Sequence, residues 1–264
     1  MTGREEEEKR RLLARLSDLS ARADRGEAVS THFLSPGEGA LAERYLQGRG
    51  IAFRAYGGYE DAERRKVYLL PDYMDGEGSL PELLEAFSVD TEIAVLRVRG
   101  SGYRVLTHRD FLGAILGLGL ERSVLGDIAV NGEGTEAFLF CEAAIADFLE
   151  SELTAVANDK VSARRTSLAE LSLPARRTQP ISDTVASPRL DSVVAALCGL
   201  SREKGRVTVA AGLVELNFES EDRPDRTVAS GSVISVRGFG KYRILSLTDR
   251  TKKGRFRLSA EKYL

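Results

Sequence analysis

The hydrophobic positions between residues 189 and 240 predict two helices followed by two strands. The first segment has one apolar helical face, formed by Leu190, Val193, Val194, Leu197 and Cys198. Gly199 ends this helix, and Ser201 is a suitable N-cap for a second helix that continues to Ala211. Residues 213–218 and 232–237 then have the composition of two pairing strands.

The middle of the chain alternates between strand and helix patterns. Strands are predicted at residues 92–99, 127–130, 137–141 and 160–165, with helices at 107–116 and 142–156. The order strand, helix, strand, strand, helix, strand is that of the ferredoxin-like plait, a common RNA-binding topology. These strands lack the paired exposed aromatic residues of an RNA-recognition motif, so the topology alone assigns no function.

The first 80 residues predict a smaller α/β region. Leucines recur at helical spacing in residues 4–24, and Ser35-Pro36 has the chemistry of a second helix start. Residues 51–56 and 66–70 are predicted strands on either side of Gly57-Gly58. Two adjacent glycines indicate either a tight turn or a close approach of the backbone to a ligand.

Composition and cysteine use narrow the class of protein. The 264-residue chain is 42% hydrophobic and 30% charged, which is typical of a soluble globular protein with two or three domains. It has neither a membrane-length apolar run nor an apolar signal-peptide core after Met1. Cys141 and Cys198 lie far apart in apolar surroundings, which favours buried thiols over a disulfide and predicts a cytoplasmic location.

The near-neutral net charge of −2 conceals an uneven distribution. Residues 189–264 contain 15 Lys+Arg and 9 Asp+Glu, whereas the rest of the chain contains 23 and 31. A basic segment on an acidic chain is typical of a domain that binds a polyanion. The alternative is an ordinary solvated charged surface.

Motifs for catalysis or metal binding are weak. His108-Arg109-Asp110 begins like the catalytic loop of a protein kinase, but Ile115 stands where that loop needs Asn. We therefore predict a helix cap formed by Thr107 and Asp110, with His108 and Arg109 placed where a phosphate could bind. With two histidines and no CxxC pair, the sequence predicts no zinc site, no cofactor and no catalytic residues.

The C-terminal segment resembles the RNA-binding domain named after small-subunit ribosomal protein S4. The resemblance is carried by Arg189-Leu190-Asp191, by Ser201-Arg202 with Lys204, by Gly212 and by Gly231-Ser232-Val233-Ile234. Ser232 departs from the family, which usually has Asp there. The β-branched run at residues 207–209 by itself favours a strand, so its assignment to a helix depends on this resemblance.

Most of the chain from about Phe33 onward also resembles the YlmH family. The similar segments are Gly57-Gly58-Tyr59 with Ala62-Glu63-Arg64, residues 107–113, residues 117–128 and Val185-Ala186-Ser187. The resemblance implies an α+β fold with an N-terminal α/β domain (1–80), a ferredoxin-like RNA-binding domain (81–166), a linker (167–187) and an S4-type domain with a helix pair and a small β-sheet (188–264). It also implies a bacterial RNA-binding protein that acts on the ribosome without catalysis.

The predicted RNA-binding residues form three groups. The S4-type segment supplies Arg189, Ser201, Arg202, Lys204 and Arg206. A basic hairpin beyond it would extend the same surface through Arg237, Lys241 and Arg243. Further candidates in the first half of the chain, which solvent exposure would explain equally well, are Arg64, Arg65, His108 and Arg109.

These residues predict a cytoplasmic monomer that binds rRNA or tRNA on the large ribosomal subunit, in quality control or subunit assembly. Phosphate contacts would make binding salt-dependent, with modest sequence preference. One alternative is an RNA-modifying enzyme targeted by the S4-type domain, although the middle region is short and lacks the motif with a catalytic Asp. The other is a scaffold protein linked to cell division.

Overall fold

The computed structural model describes residues 3–74, 76–168, 173, 178–248, 251 and 254–263. The chain divides into two compact units, Met1–Pro174 and Ala175–Leu264. The described part of the first unit contains two sheets with their helices, and the second unit contains one sheet with two helices. The predicted mixture of α and β structure is confirmed. No helix in the described part of the chain is long and apolar enough to cross a membrane.

The first unit begins with three helices around a three-stranded antiparallel sheet of order β1-β3-β2. Its elements are α1 (Gly3–Ala23), β1 (Val29–Ser30), α2 (Pro36–Gln47), β2 (Arg54–Tyr56), β3 (Lys66–Leu69) and α3 (Leu80–Ala86). The predicted start of α2 is confirmed. Ser35 is the N-cap, Pro36 is the first helical residue, and Ser35 and Glu38 form a capping box across the first turn. The short β1 and α3 were not predicted from the sequence.

A five-stranded antiparallel sheet of order β5-β6-β4-β8-β7 forms the rest of the first unit. Its elements are β4 (Ile93–Gly100), α4 (His108–Gly117), β5 (Leu125–Val130), β6 (Glu136–Glu142), α5 (Ala146–Glu152), β7 (Ala155–Val156) and β8 (Asp159–Thr166). The helix predicted at 142–156 is shorter than expected. Val156 is fully buried in a hairpin with β8, and Ala157 turns the chain with a φ of 52°.

Different parts of the chain cover the two faces of this sheet. Helices α4 and α5 pack on the face that carries Leu96, Val98 and Leu139. On the opposite face, Phe33 and Tyr59 from the N-terminal region pack against Phe140. Part of the second face is therefore closed by protein.

The second unit is a six-stranded antiparallel sheet of order β11-β10-β12-β13-β14-β9 with two helices on one face. Its elements are β9 (Thr178–Val185), α6 (Leu190–Cys198), α7 (Arg202–Ala210), β10 (Val214–Leu216), β11 (Glu219–Ser220), β12 (Val233–Val236), β13 (Gly240–Ser246) and β14 (Phe256–Tyr263). Residues 207–209 are helical. Tertiary packing overrides their strand propensity, since Val209 is fully buried against the sheet.

The predicted linker at 167–187 is corrected for residues 178–185, which form the edge strand β9 beside β14. An edge position tolerates Pro180, because an edge strand leaves one row of backbone groups unpaired. Only Ile181 and Val185 of this strand join the core, so its sequence shows little hydrophobic alternation. Residues 169–172 and 174–177 of the predicted linker lie outside the described residues.

Both cysteines are free, as predicted, with Cys141 in the first unit and Cys198 in the second. Burial raises the pKa of the Cys141 thiol to about 12, so this thiol stays protonated at neutral pH. The Gly57-Gly58 segment is a tight turn against protein. A Cβ at Gly58, whose φ is 101°, would lie 2.5 Å from the ring of Phe140.

Gly205 lets α6 and α7 approach closely, and this contact can be tested. A Cβ at Gly205 would lie 2.5 Å from the carbonyl oxygen of Asp191 and 2.9 Å from the Cβ of Ala195. We expect Gly205→Ala to lower the free energy of unfolding of the second unit by about 1–3 kcal/mol, because overpacking forces the helices apart. Urea unfolding of the full chain measures the change.

Gly113→Ala is the matched control. Gly113 lies inside α4 with no atom within 4 Å of its added Cβ. That change should stabilise the helix by up to about 1 kcal/mol. Equal unfolding midpoints for Gly205→Ala and the unchanged protein would contradict the close helix contact.

Candidate nucleic-acid interface

The start of α7 in the second unit is fixed by Ser201. Its hydroxyl oxygen accepts a hydrogen bond from the backbone N–H of Lys204 at 3.3 Å. This bond caps the helix, as the sequence predicted, and it directs the side chains of the first turn. Ser201 therefore supports the cations beside it, and its contact with RNA stays a prediction.

Three arginines gather around the carboxylate of Asp191. Arg189 donates to it through Nε at 3.2 Å and Nη2 at 3.0 Å, while the side chain of Asp191 is only 3% exposed. Arg202 and Arg206 lie close enough for charge coupling to the same carboxylate. The buried acid thus holds Arg189 in place at one rim of the unit.

The pKa of Asp191 follows from these contacts. Burial acts to raise it, but the hydrogen bonds from Arg189 and the charges of Arg189 and Arg202 outweigh burial. The pKa consequently lies below its ordinary value, and the carboxylate is charged at neutral pH.

Four predicted cations are exposed and make no ion pair or side-chain hydrogen bond with any other residue that the structure describes: Arg202, Lys204, Arg237 and Arg243. Arg206 differs, because its guanidinium forms a fork with Glu203, with the shortest distance 2.7 Å. The four exposed cations are accessible to a phosphate.

The predicted continuous surface of the second unit is divided between two sides of the sheet. Tyr242 and Ile244 point into the core beneath α6 and α7, so Lys241 and Arg243 point out of the opposite face. Lys241 lies 5.2 Å from the ring centroid of Phe218 and 5.3 Å from that of Tyr263. The hairpin therefore does not extend the surface formed by α7.

Arg64 has a structural position inside the first unit. Its Nε donates to the carbonyl of Leu125 at 2.8 Å, and its Nη2 donates to the carbonyls of Phe33 and Arg122 at 3.1 and 2.9 Å. These bonds use the Nε and Nη2 donors of Arg64 within the protein, and its contact with RNA stays a prediction. The neighbouring Arg65 forms an ion pair with Glu43, with 3.1 Å between Nη2 and Oε1.

Asp127 completes the junction around Arg64. Its carboxylate accepts hydrogen bonds from the hydroxyl of Tyr59 at 2.7 Å and from the backbone N–H groups of Glu63 and Arg64 at 2.7 and 3.0 Å. Burial and the charge of Arg64 lower the pKa of Arg122 to about 10, and Asp127 opposes this shift. We call these contacts of Arg64, Asp127 and Arg122 the Asp127 junction.

The predicted cap at Thr107 is confirmed. Thr107 and Asp110 form a capping box at the start of α4, which leaves His108 and Arg109 exposed. Desolvation of the imidazole by neighbouring groups, together with the nearby charge of Arg122, lowers the pKa of His108 below its ordinary value. His108 is therefore neutral at pH 7, so Arg109 is the cation of this pair.

Sequence reasoning missed a basic group on the five-stranded sheet, formed by Arg97, Arg99, Lys160 and Arg164. The alternation of residues 92–99 predicts a strand, but it does not show that the outward positions of this strand belong to a basic group. Arg97 is directly opposite Arg164 in the ladder, and Arg99 is opposite Ser162. The pairing register brings these cations together, and a single strand does not reveal it.

Comparison with known proteins identifies the family. Residues 88–170 match the family model described as "Putative RNA-binding domain in YlmH". The chain is 33% identical over 233 residues to the ribosome-associated protein quality control protein P2 of Bacillus subtilis (strain 168), covering 88% of this chain and 86% of the relative. The chain belongs to the YlmH family.

A solved structure, the cell division protein YlmH from Streptococcus pneumoniae, is similar with 23% identity and a TM-score of 0.48, over 62% of this chain and 93% of the other. The YlmH domain match contains all of β4 to β8, so the missed cations lie within an RNA-binding domain. The predicted cations of the second unit lie outside that match.

The Asp127 junction predicts a large effect of a small change. Asp127→Asn removes the negative charge beside Arg64 and Arg122 and turns an amide donor toward backbone N–H groups. We expect the free energy of unfolding of the first unit to fall by about 2–3 kcal/mol, measured by urea unfolding of the full chain. Glu60→Gln, at an exposed position in the same segment, is the control. Equal losses in the two variants would contradict a specific role for Asp127.

Asp191 predicts a pH dependence in the second unit. The pKa of Asp191 is lower in the folded state than in the unfolded state, where it is about 4. The carboxylate therefore contributes its full stabilisation of the folded state above about pH 4, and this contribution is lost as the pH falls through the pKa of the folded state. The difference in unfolding free energy between the unchanged protein and Asp191→Asn should therefore narrow below pH 4. Asp222→Asn, at an exposed position, should show no such change. A difference independent of pH would exclude the ion pair as its source.

Proposed function

We propose that this chain is a non-catalytic RNA-binding protein that acts on the large ribosomal subunit in ribosome-associated quality control. The observation that carries the proposal is the 33% identity, over most of both chains, to a Bacillus subtilis protein named for that process. The RNA-binding domain match at residues 88–170 supports it independently. A protein with this task works in the cytoplasm, where ribosomes translate.

We also propose that the second unit is an S4-type RNA-binding domain. The helix pair α6 and α7 on one face of a small sheet supports this, as does the ion pair between Arg189 and Asp191 in the segment that resembles the S4 pattern. Ser232 replaces the usual Asp, and its hydroxyl accepts the backbone N–H of Ala229 at 3.3 Å, a bond that an Asp carboxylate could also make.

The first unit fits a ferredoxin-like plait in its second half. The antiparallel order β8-β4-β6-β5, with α4 and α5 on one face, supports this assignment, and β7 is an addition at the edge. RNA in this proposal is held mainly through its phosphates and its shape, which suits rRNA or tRNA better than a short sequence motif.

Structural contacts also support a role without catalysis. The side chains of Asp127, Arg122 and Asp191 are engaged in hydrogen bonds and an ion pair within the protein. RNA binding by exposed cations requires no proton transfer. The protein would then act by occupying a site on the ribosome.

The cations of α7 give the first test. Arg202→Ala with Lys204→Ala should weaken binding to labelled bulk tRNA and to large subunits, and should reduce the slope of log affinity against log salt by about two. Lys9→Ala with Arg10→Ala, which removes the same charge from exposed positions of α1, is the control. Unchanged affinity and slope in the α7 variant would remove these residues from the interface.

Sedimentation of a cell lysate through sucrose gradients tests the ribosomal partner. We expect the protein to migrate with the large subunit at low salt and to leave it at high salt, because phosphate contacts are weakened by salt. The α7 variant should dissociate at a lower salt concentration. A protein that stays at the top of both gradients would contradict the proposed ribosomal role.

A further inference from the structure

The five-stranded sheet of the first unit has one face that is half closed and half open. Helices α4 and α5 cover the face with Leu96 and Val98, so the alternate residues Arg97 and Arg99 lie on the other face. In the neighbouring strand, Ser162 and Arg164 share this second face because they stand directly opposite those arginines. Lys160, two residues earlier in β8, follows the same alternation.

The closed half cannot stack bases. In a plait that binds RNA on its sheet, aromatic side chains of the central strands provide the stacking platform. Phe138 and Phe140 of β6 are on the corresponding face, but they are only 7% and 0% exposed. Tyr59 packs against Phe140, and the guanidinium of Arg97 lies 5.9 Å from the ring centroid of Phe138. This face of the sheet therefore exposes cations, since the aromatic rings of β6 are buried.

The open half carries an excess of positive charge. Glu136 is its one acidic partner among the described residues, and it accepts from Nε of Arg97 at 2.5 Å and Nε of Arg99 at 2.8 Å. Exposed Arg164 and Lys160 make no ion pair with a described residue. Directly opposed like charges, such as Arg97 and Arg164, destabilise a ladder, and a bound phosphate would relieve their repulsion.

The loop that follows β4 presents an exposed aromatic ring three residues beyond Gly100, where the strand ends. Tyr103 is 100% exposed, yet its backbone N–H donates to the hydroxyl of Ser101 at 3.2 Å. Both the backbone N–H and the hydroxyl of Ser101 donate to the buried carboxylate of Asp159, the residue before Lys160. At the other end of the loop, the backbone N–H of Leu106 donates to the carbonyl oxygen of Gly134 at 2.8 Å. Hydrogen bonds hold the loop backbone at both ends, while the side chain of Tyr103 is fully exposed.

We propose that Arg97, Arg99, Lys160, Arg164 and Tyr103 form a second RNA-binding surface that holds phosphates with its cations and stacks one unpaired base on Tyr103. We call it the sheet surface. Its partner is an RNA loop or single-stranded segment next to structured RNA, since a base must be unpaired to stack. The proposal deepens the proposed function and rests on it for RNA as the partner. It does not require the cations of α7.

Binding of the full-length protein to labelled bulk tRNA and to labelled poly(U), measured by fluorescence anisotropy over a salt series, tests the sheet surface. Lys160→Ala with Arg164→Ala should reduce the salt slope by about two and weaken both affinities. Tyr103→Ala should weaken poly(U) binding by roughly 5- to 150-fold, because one stacked base contributes about 1–3 kcal/mol. Tyr103→Phe, which keeps the ring, should restore it.

The controls separate this proposal from the proposed function. Lys9→Ala with Arg10→Ala should change neither affinity. If Arg202→Ala with Lys204→Ala weakens binding while Lys160→Ala with Arg164→Ala does not, the sheet surface is overturned and the proposed function stands. If neither double variant has an effect, both are overturned. If Tyr103→Ala binds poly(U) normally, the stacking contact is excluded.

Cross-linking provides a second readout in which no residue is changed. After irradiation of the protein with poly(U) containing 4-thiouridine, we expect RNA adducts on the peptide that contains Tyr103. Adducts confined to the second unit would overturn the sheet surface. In that case the basic residues of the sheet would instead bind an acidic protein partner.

Discussion

The Asp127 junction is the interaction on which the first unit depends. Arg64 donates to three backbone carbonyls in two segments, one at Phe33 and one at residues 122–125, and Asp127 accepts bonds from the segment that contains Tyr59 and Glu63. A charged pair of this kind is costly to bury unless nearly all its bonds are made, so these bonds specify how the N-terminal region meets the sheet. That region covers the aromatic half of the sheet face. The same junction thus determines which half stays open.

Asp191 has a comparable role in the second unit on a smaller scale. Its buried carboxylate holds Arg189, and Gly205 lets α7 lie close above the same residue. The exposed first turn of α7 is therefore presented by a tightly packed helix pair. Rigid presentation would favour the phosphate contacts proposed for α7, because ordering flexible side chains on binding costs free energy.

The basic side chains discussed above fall on distinct surfaces. Those of α7 and those of the sheet surface belong to different units, while Lys241 and Arg243 occupy the far side of the second sheet. Weak phosphate contacts from two linked units add avidity, provided that both engage one RNA. Binding of this type favours a large structured RNA over a short oligonucleotide. The net charge of the whole chain does not reveal these basic surfaces, because acidic residues elsewhere offset the local excess of positive charge.

The sequence by itself determined the local elements: the caps at Ser35, Thr107 and Ser201, the helical faces and most strands. These depend on neighbouring residues, whose spacing is visible in the chain. Tertiary structure alone decided that Arg64 bonds to carbonyls of distant segments, that residues 178–185 pair as an edge strand, and that Arg97 faces Arg164. Each of these follows from contacts between segments distant in sequence, and a strand's register or a buried charge's partner leaves no local periodic signal.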